Sequence, residues 1–175
     1  NAALAEYDNR TQQTLDVVMS NGDHVVNGAA SATGSIHFHG TEGADQITGG
    51  GGNDTIEGNG GNDTITYNVG GHSDVVDGGA DTDTLVVNHG DATPHTFDIN
   101  GTAGADPVVV KVDGAEAVSA SNVEDITLNL GSGGDTVNVG SLDGTSGAVS
   151  TITVHGGDGA DVVNASGIDA GHAVG

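Results

Sequence analysis

Aliphatic residues recur at nearly constant spacing through the first half of the chain, each two positions after an aspartate. The aspartates are Asp45, Asp54, Asp63, Asp74 and Asp83. The aliphatic residues are Ile47, Ile56, Ile65, Val76 and Leu85. The glycines between them oppose helix formation, and the aliphatic positions lack the helical period of 3.6 residues. The pattern therefore predicts short strands separated by glycine-rich turns.

Two consecutive nine-residue units show the pattern most clearly. Residues 49–57 read Gly-Gly-Gly-Gly-Asn-Asp-Thr-Ile-Glu, and residues 58–66 read Gly-Asn-Gly-Gly-Asn-Asp-Thr-Ile-Thr. The flanking units, which begin at residues 40 and 78, keep the frame although Thr41 and Asp81 replace glycines. Two more copies lie near the end of the chain, at 131–137 and 156–164.

Each unit has the composition of half a flattened coil. Two units, 18 residues, complete one coil, so strands of successive coils lie parallel and about 4.8 Å apart. The aliphatic residue of each unit then points inwards, and glycine supplies the positive-φ positions of the turns. The sequence predicts an all-β fold, a right-handed parallel β-solenoid with a slim aliphatic core.

Loss of the period divides the chain into four parts. Residues 1–35 predict an N-terminal cap or linker, because their apolar positions are compatible with a broken amphipathic helix: Leu4, Tyr7, Leu15, Val18 and Met19. Residues 36–88 form the first repeat block and residues 131–175 the second. Residues 89–130 between them predict an irregular strand and hairpin insertion, or wider coils. Strand patterns there cover 96–100, 108–112, 116–120 and 122–130, and Asp113-Gly114 is a two-residue hairpin signal.

The charge of the chain points to a cation as its partner. Its 175 residues include 25 Asp and Glu against two Lys and Arg, for a formal net charge of −23. This balance excludes electrostatic binding to nucleic acid or anionic lipid, and no apolar run approaches the length of a membrane span. Because carboxylates about 4 Å apart repel by about 1 kcal/mol even in water, compaction requires their neutralisation. The chain has no Cys, which leaves oxygen-liganded cations.

Stacked turns of the predicted coil offer the oxygens that calcium requires. Calcium takes about six to eight oxygen ligands, carboxylates and backbone carbonyls together, whereas magnesium prefers a near-octahedral shell and retains its waters. One turn alone offers too few oxygens, so we expect several calcium ions between turns two units apart. The expected pairs are Asp45 with Asp63, Asp54 with Asp74, and Asp63 with Asp83.

The candidate ligands are the aspartates and the turn residues that precede them. The aspartates are Asp45, Asp54, Asp63, Asp74, Asp83, Asp135 and Asp161. The turn residues are Gly43, Gly49, Gly51, Gly52, Gly58, Gly60, Gly61, Gly78, Ala80, Asp81, Gly156, Asp158 and Gly159. Two sites depart from the pattern. His72 stands in a glycine slot before Asp74, and Asp135 finds its best partner, Asp161, only 26 residues away.

The pattern Gly-Gly-x-Gly-x-Asp-x-aliphatic-x resembles the nonapeptide repeat of RTX proteins. The resemblance covers residues 40–88 well, and residues 131–138 and 156–164 locally. It implies a calcium-loaded parallel β-roll. It also implies a module of a large bacterial protein that type I secretion exports unfolded and that folds in extracellular calcium, hence a secreted or cell-surface location. Since the chain begins at Asn1 without a leader pattern, we expect it to be a fragment of a larger protein.

The expected function is therefore that of a calcium-binding module that folds on binding calcium. An adhesin or surface-layer segment that binds a partner is one alternative, and an accessory module of a secreted enzyme is another. No catalytic signature is present, so we do not expect an enzyme. Open strand edges allow self-association. His37 and His39 share a strand face, but the other histidines lack ligand spacing, which favours exposed histidines over a zinc or nickel site.

Overall fold

The described part of the protein is built from strands alone. A computed structural model describes residues 2–3, 14–28, 34–70, 72–102, 105–142, 149–167 and 173–174. Its strands are β1 Ala2–Ala3, β2 Leu15–Val18, β3 Val25–Asn27, β4 Ile36–His39, β5 Gln46–Thr48, β6 Thr55–Glu57, β7 Thr64–Asn68, β8 Asp74–Asp77, β9 Thr84–Asn88, β10 Thr96–Thr102, β11 Ala105–Val112, β12 Ala115–Ser121, β13 Asp125–Asn129, β14 Thr136–Val139, β15 Thr151–His155, β16 Val162–Asn164 and β17 Ala173–Val174. These residues include no helix long and apolar enough to cross a membrane.

Along most of the chain, successive strands alternate between two sheets. The first sheet has the order β1-β3-β5-β7-β9-β13-β15-β17 and the second the order β16-β14-β10-β11-β12-β8-β6-β4-β2. In the repeat regions each strand pairs in parallel with the strand one coil away. This arrangement confirms the predicted all-β parallel roll, because each glycine-rich turn carries the chain from one sheet to the other.

The core is a pair of inward-facing columns between the two sheets. In the first sheet Ile47, Ile65 and Leu85 lie in register, and each is at most 1 % exposed. In the second sheet Ile56 pairs with Val76, and both are equally buried. The predicted aliphatic core is confirmed. Three aromatic residues extend it, since Phe38, Tyr67 and Phe97 are also buried.

The roll widens after the 18-residue coil that leads from β5 to β7. Strand β5 has three residues and β7 has five, so aspartates on one side become separated by 20 residues instead of 18. The added length brings Tyr67 into the core, where it pairs in register with Val87. The Tyr67 hydroxyl donates a hydrogen bond of 2.6 Å to the carbonyl oxygen of His72. The irregular unit before Asp74 is therefore fixed by a buried tyrosine.

The insertion is an antiparallel meander that enlarges only one sheet. Strand β11 pairs antiparallel with both β10 and β12. The β11–β12 turn is Asp113-Gly114, with φ values of 51° and 80° as a two-residue hairpin requires, which confirms the predicted hairpin. The three strands fill the second sheet between β8 and β14, whereas in the first sheet β13 pairs directly with β9.

In the described residues 14–28, the N-terminal segment forms strands and not the broken helix that its apolar spacing suggested. Strand β2 pairs with β4 and β3 with β5, so the coils of the roll continue through the described residues 14–28. Leu15 and Val17 pack against the core while Asp16 and Val18 are exposed, which is the two-residue alternation of a strand. Leu4 and Tyr7, which also suggested a helix, lie outside the described residues.

Candidate calcium-binding turns

One column of aspartates runs along the turns that lead into the first sheet. Asp45, Asp63 and Asp83 immediately precede β5, β7 and β9. Oδ1 of Asp63 accepts a 2.8 Å hydrogen bond from the backbone N–H of Asp45, and Oδ1 of Asp83 accepts an equal one from the N–H of Asp63. Oδ1 of Asp45 accepts from the N–H of His24. Each carboxylate is thus tied to the coil before it.

A second column lies on the turns that lead into the second sheet. Oδ1 of Asp54 accepts from the N–H of Ile36 at 2.8 Å, and Oδ1 of Asp74 accepts from the N–H of Asp54 at 2.9 Å. Beyond the insertion, Oδ1 of Asp161 accepts from the N–H of Asp135 at 2.9 Å. The structure therefore brings together the three aspartate pairs expected from the sequence, and Asp135 with Asp161.

The second carboxylate oxygen is the distinctive feature of these columns. Oδ2 of Asp54, Asp63, Asp83 and Asp135 is buried and has no hydrogen-bond partner among the described residues. These four side chains belong to residues that are at most 2 % exposed. An unpaired charged oxygen inside a protein costs several kcal/mol or more. These oxygens are the atoms whose cost a bound cation would offset.

Glycines surround the unpaired oxygens and leave room beside them. A Cβ at Gly49 would lie 2.8 Å from Oδ2 of Asp54 and 3.0 Å from Oδ2 of Asp74. A Cβ at Gly58 would overlap Oδ2 of Asp63 and the carbonyl oxygen of Gly78. Two carboxylate oxygens from stacked turns thus converge beside Gly49, and a carboxylate and a carbonyl oxygen converge beside Gly58. These donors fit calcium.

The remaining predicted turn residues form the walls between coils. Gly60 bridges to Ala80, and Asp158 to Ser132, in parallel pairing. Asp81 has a φ of 77°, and its Oδ2 accepts from the N–H of Gly61. A Cβ would meet the backbone of the neighbouring coil at Gly43, Gly52, Gly61 and Gly159. It would meet the side chain of Asp161 at Gly156, and the carbonyl oxygen of Asn122 and the side chain of Asp83 at Gly78. Gly51 is half-buried.

Thr41 distinguishes the first turn from the others. Oδ2 of Asp45 accepts a 2.8 Å hydrogen bond from the backbone N–H of Thr41 and a 3.2 Å one from its hydroxyl. Both oxygens of Asp45 therefore have donors, unlike those of Asp63 and Asp83. Thr41, which replaces a glycine of the pattern, therefore gives Oδ2 of Asp45 hydrogen-bond donors. In the later turns a cation would contact the corresponding oxygen.

Glu124 belongs to the first column, although the sequence analysis did not include it. Its Oε2 accepts a 2.8 Å hydrogen bond from the N–H of Asp83. Asp83 accepts the same kind of bond from the N–H of Asp63. Glu124 precedes β13, which pairs with β9. The available signal was an acidic residue two positions before Ile126, the same offset as in the repeats.

The electrostatics of the columns are unfavourable at neutral pH. Burial raises the pKa of Asp54, Asp63 and Asp83 from 3.8 to about 6, and that of Asp74 to about 7. Neighbouring carboxylates raise the pKa of Asp63 and Asp74 further in the same direction. The folded chain without a cation therefore binds protons more tightly at these positions than the unfolded chain does.

We expect the calcium-free chain to be more stable in mild acid than in mild base. Because these four folded-state pKa values are raised, their contribution to stability is present below pH 4 and is lost as the pH rises through 6 to 7. Between about pH 5 and about pH 8 the loss is on the order of 1 kcal/mol or more for each carboxylate. Far-UV circular dichroism of chelator-treated protein compares the strand content at the two pH values, which should be higher at about pH 5. Equal strand content at both would contradict the expectation.

The histidines of β4 lie on one face of the strand, as the sequence predicts. The rings of His37 and His39 are 3.9 Å apart. Glu57 on the adjacent β6 lies 3.2 Å from Nε2 of His37 and 2.9 Å from Nδ1 of His39. Asp16 on β2 is 3.6 Å from Nδ1 of His37. These contacts form a polar cross-strand cluster on the outside of the second sheet.

Comparison with known proteins agrees with the geometry of the columns. The profile of the RTX calcium-binding nonapeptide repeat matches residues 39–71, 68–85 and 153–167, in four copies. No curated protein and no solved structure matched the chain. The matched residues contain the aspartates of the first repeat block and Asp161, while the turn at 131–137 lies outside them. The chain therefore contains RTX calcium-binding nonapeptide repeats, the family of repeats that builds the parallel β-roll.

Proposed function

We propose that this protein is a calcium-binding structural module that folds when calcium binds between its stacked turns. The observation that carries the proposal is that the buried Oδ2 atoms of Asp54, Asp63, Asp83 and Asp135 find no hydrogen-bond partner in the part of the chain that the structure describes. They recur turn after turn on the aspartates of the repeat pattern. Because the oxygens come together only when the coils stack, the free energy of binding a cation there is free energy of folding.

The proposed ligands are the repeat aspartates with carbonyl oxygens of the neighbouring turns. Calcium supplies positive charge and accepts these hard oxygens. Asp63 illustrates the role of the chain itself, because Oδ1 fixes the side chain on the preceding coil while Oδ2 lies beside the carbonyl oxygen of Gly78. Each aspartate thus joins two coils. Binding at one turn then orders the next, as expected of repeat proteins whose stability is a sum of neighbour terms.

We further propose that folding in calcium is the biological role, in a bacterial protein exported unfolded. The net charge of −23 supports this proposal, since the chain resists compaction until cations neutralise it. A low-calcium cytoplasm and a calcium-rich exterior would then place folding after export. The partner-binding and enzyme-accessory alternatives remain predictions, and no feature of the described residues favours either of them.

Asp63→Asn is expected to weaken calcium binding in two adjacent turns. The amide preserves the size of the side chain and its Oδ1 acceptor. It removes the negative charge of Asp63, which belongs both to the pair with Asp45 and to the pair with Asp83. We expect at least about a tenfold loss of affinity at the affected sites, or the loss of bound ions. Equilibrium dialysis with radioactive calcium measures both quantities.

Asp98→Asn is the matched control for this measurement. Asp98 lies on β10, away from the turns, and its Oδ1 accepts a 2.8 Å hydrogen bond from Asn138, which an amide oxygen also accepts. Both variants remove one negative charge, so a general electrostatic effect would weaken calcium binding equally in the two. Equal affinities and ion counts in the two variants would overturn the assignment of Asp63.

A further inference from the structure

A second cluster of metal-binding residue types lies where the roll meets the antiparallel insertion. His89 follows β9, and Asp91 and His95 lie on the connection to β10. One ligand atom from each lies within 4.8 Å of the other two. Oδ2 of Asp91 is 3.7 Å from Nε2 of His89 and 3.3 Å from Nε2 of His95. Ligands around tetrahedral zinc are separated by roughly 3.3 Å, so these separations are close to those of a formed site.

Hydrogen bonds on the far side of each ring fix which nitrogen faces the cluster. Nδ1 of His89 lies 3.4 Å from the carbonyl oxygen of Leu130, and Nδ1 of His95 lies 2.6 Å from Oδ2 of Asp113. Both partners are acceptors, so each Nδ1 donates to its partner, and in its neutral form each ring offers the lone pair of Nε2 to the cluster. Carboxylate or carbonyl partners of this kind orient the histidines of metal sites.

The third ligand is also held in place. Oδ1 of Asp91 accepts hydrogen bonds of 2.8 Å from both the backbone N–H and the hydroxyl of Thr93. The same hydroxyl oxygen lies 2.7 Å from Nε2 of His95, so Thr93 contacts two of the three residues of the cluster. His89 is 7 % exposed and packs edge-on against Phe97, whereas Asp91 is open to solvent. The cluster is rigid on its inner side and accessible from outside.

The donor set selects a different class of ion from the aspartate columns. Two imidazole nitrogens with one carboxylate oxygen suit zinc and the later first-row transition metals, whereas calcium takes oxygen ligands. We propose that His89, Asp91 and His95 bind a zinc-class transition-metal ion, with Asp113 and Leu130 orienting the two histidines. The ion would tie the β9–β10 connection to the hairpin turn of the insertion, because Asp113 forms that turn.

The cluster on β4 has the same residue types but a different arrangement. There Asp16 lies 3.6 Å from Nδ1 of His37, and Glu57 lies within hydrogen-bond distance of Nε2 of His37 and Nδ1 of His39. Asp16 and the two histidines come from two neighbouring strands, β2 and β4, and not from one connection. The double variant His37→Gln/His39→Gln is therefore a matched control, since it removes two histidines without touching the proposed site.

The experiment measures zinc binding to the intact chain in saturating calcium, which keeps the proposal independent of calcium-driven folding. Competition with a chromogenic zinc chelator gives the affinity, and cobalt absorption reports tetrahedral nitrogen and oxygen ligation. We expect one zinc ion per chain at this site. His95→Gln and Asp91→Asn are each expected to weaken it by more than about tenfold, and Asp113→Asn by about 10-fold to 100-fold without removing a ligand.

Three outcomes would overturn the proposal. The first is no zinc binding at about 100 μM by the unmodified chain, well above the range of specific protein zinc sites. The second is unchanged affinity in both His95→Gln and Asp91→Asn. The third is loss of binding only in His37→Gln/His39→Gln, which would move the site to β4. Far-UV circular dichroism in calcium checks folding, and if His95→Gln does not fold, the exposed Asp91→Asn decides.

Discussion

Removing calcium is expected to convert the protein from a β-roll to a largely unfolded chain at neutral pH. Within the described ranges four buried carboxylate oxygens lack hydrogen-bond partners, and the chain carries a net charge of −23. Each calcium at 100 times its dissociation constant contributes about 2.7 kcal/mol, so several ions supply as much as the whole stability of a typical domain, about 5 to 15 kcal/mol. Far-UV circular dichroism should show a random-coil spectrum in chelator and a cooperative transition to β-structure as calcium is added.

Magnesium is the control in this titration. It has the same charge but prefers six ligands at about 2.0 to 2.1 Å and gives up its waters reluctantly, so it should not produce the transition at equal concentration. A chain that is already folded in chelator would contradict the prediction. That result would mean that the insertion and its core carry the stability, and it would favour a partner-binding module in which calcium is regulatory.

The aspartate columns could be predicted from sequence because the spacing of the repeat equals the geometry of the fold. A separation of 18 residues is one coil, so Asp45 and Asp63 must meet if the strands stack in parallel. The prediction extends to Asp54 and Asp74 despite the two added residues, because Tyr67 and its neighbours lengthen the strand without changing the turn. The repeat fixes the register locally.

Glu124 could not be found by the same argument, because the insertion separates it from Asp83 along the sequence. It lies 41 residues from Asp83, and only the direct pairing of β9 with β13 reveals that no coil separates them in the first sheet. The cluster of His89, Asp91 and His95 was missed for a related reason. Its spacing matches no short ligand motif, and Asp113 and Leu130 reach it only through the folded insertion.

The N-terminal strands show where local pattern is ambiguous. Short apolar runs such as Leu15 to Met19 fit a helix or a strand equally well, and periodicity alone does not separate them. Pairing decides, because β2 gains a partner in β4 along its full length and buries Leu15 and Val17 against the core. Strand β4 in the neighbouring coil offers the backbone of β2 hydrogen-bond partners, which a helix in this segment would not use.

Gly58→Ala is expected to be among the most damaging single substitutions in the roll. The added Cβ would overlap Oδ2 of Asp63 and the carbonyl oxygen of Gly78. Neither can withdraw easily, because Asp63 is 1 % exposed and the N–H of Gly78 is bonded to Ser121. Gly58 itself is held by a 2.8 Å hydrogen bond from its N–H to the carbonyl oxygen of Asp77. Overpacking of this kind costs about 1 to 3 kcal/mol, before any loss of calcium.

The comparison with Gly90→Ala separates this effect from the general consequence of replacing glycine. A Cβ at Gly90 meets no atom within 4 Å, and its backbone lies outside the left-handed region. There alanine should be neutral or stabilise by about 0.4 to 1 kcal/mol, since it restricts the unfolded chain. We expect the calcium midpoint of folding to rise at least severalfold in Gly58→Ala and to stay near the unmodified value in Gly90→Ala. Equal midpoints would show that no calcium ion binds in the space beside Oδ2 of Asp63, because filling that space with a methyl group would then leave calcium-driven folding unchanged.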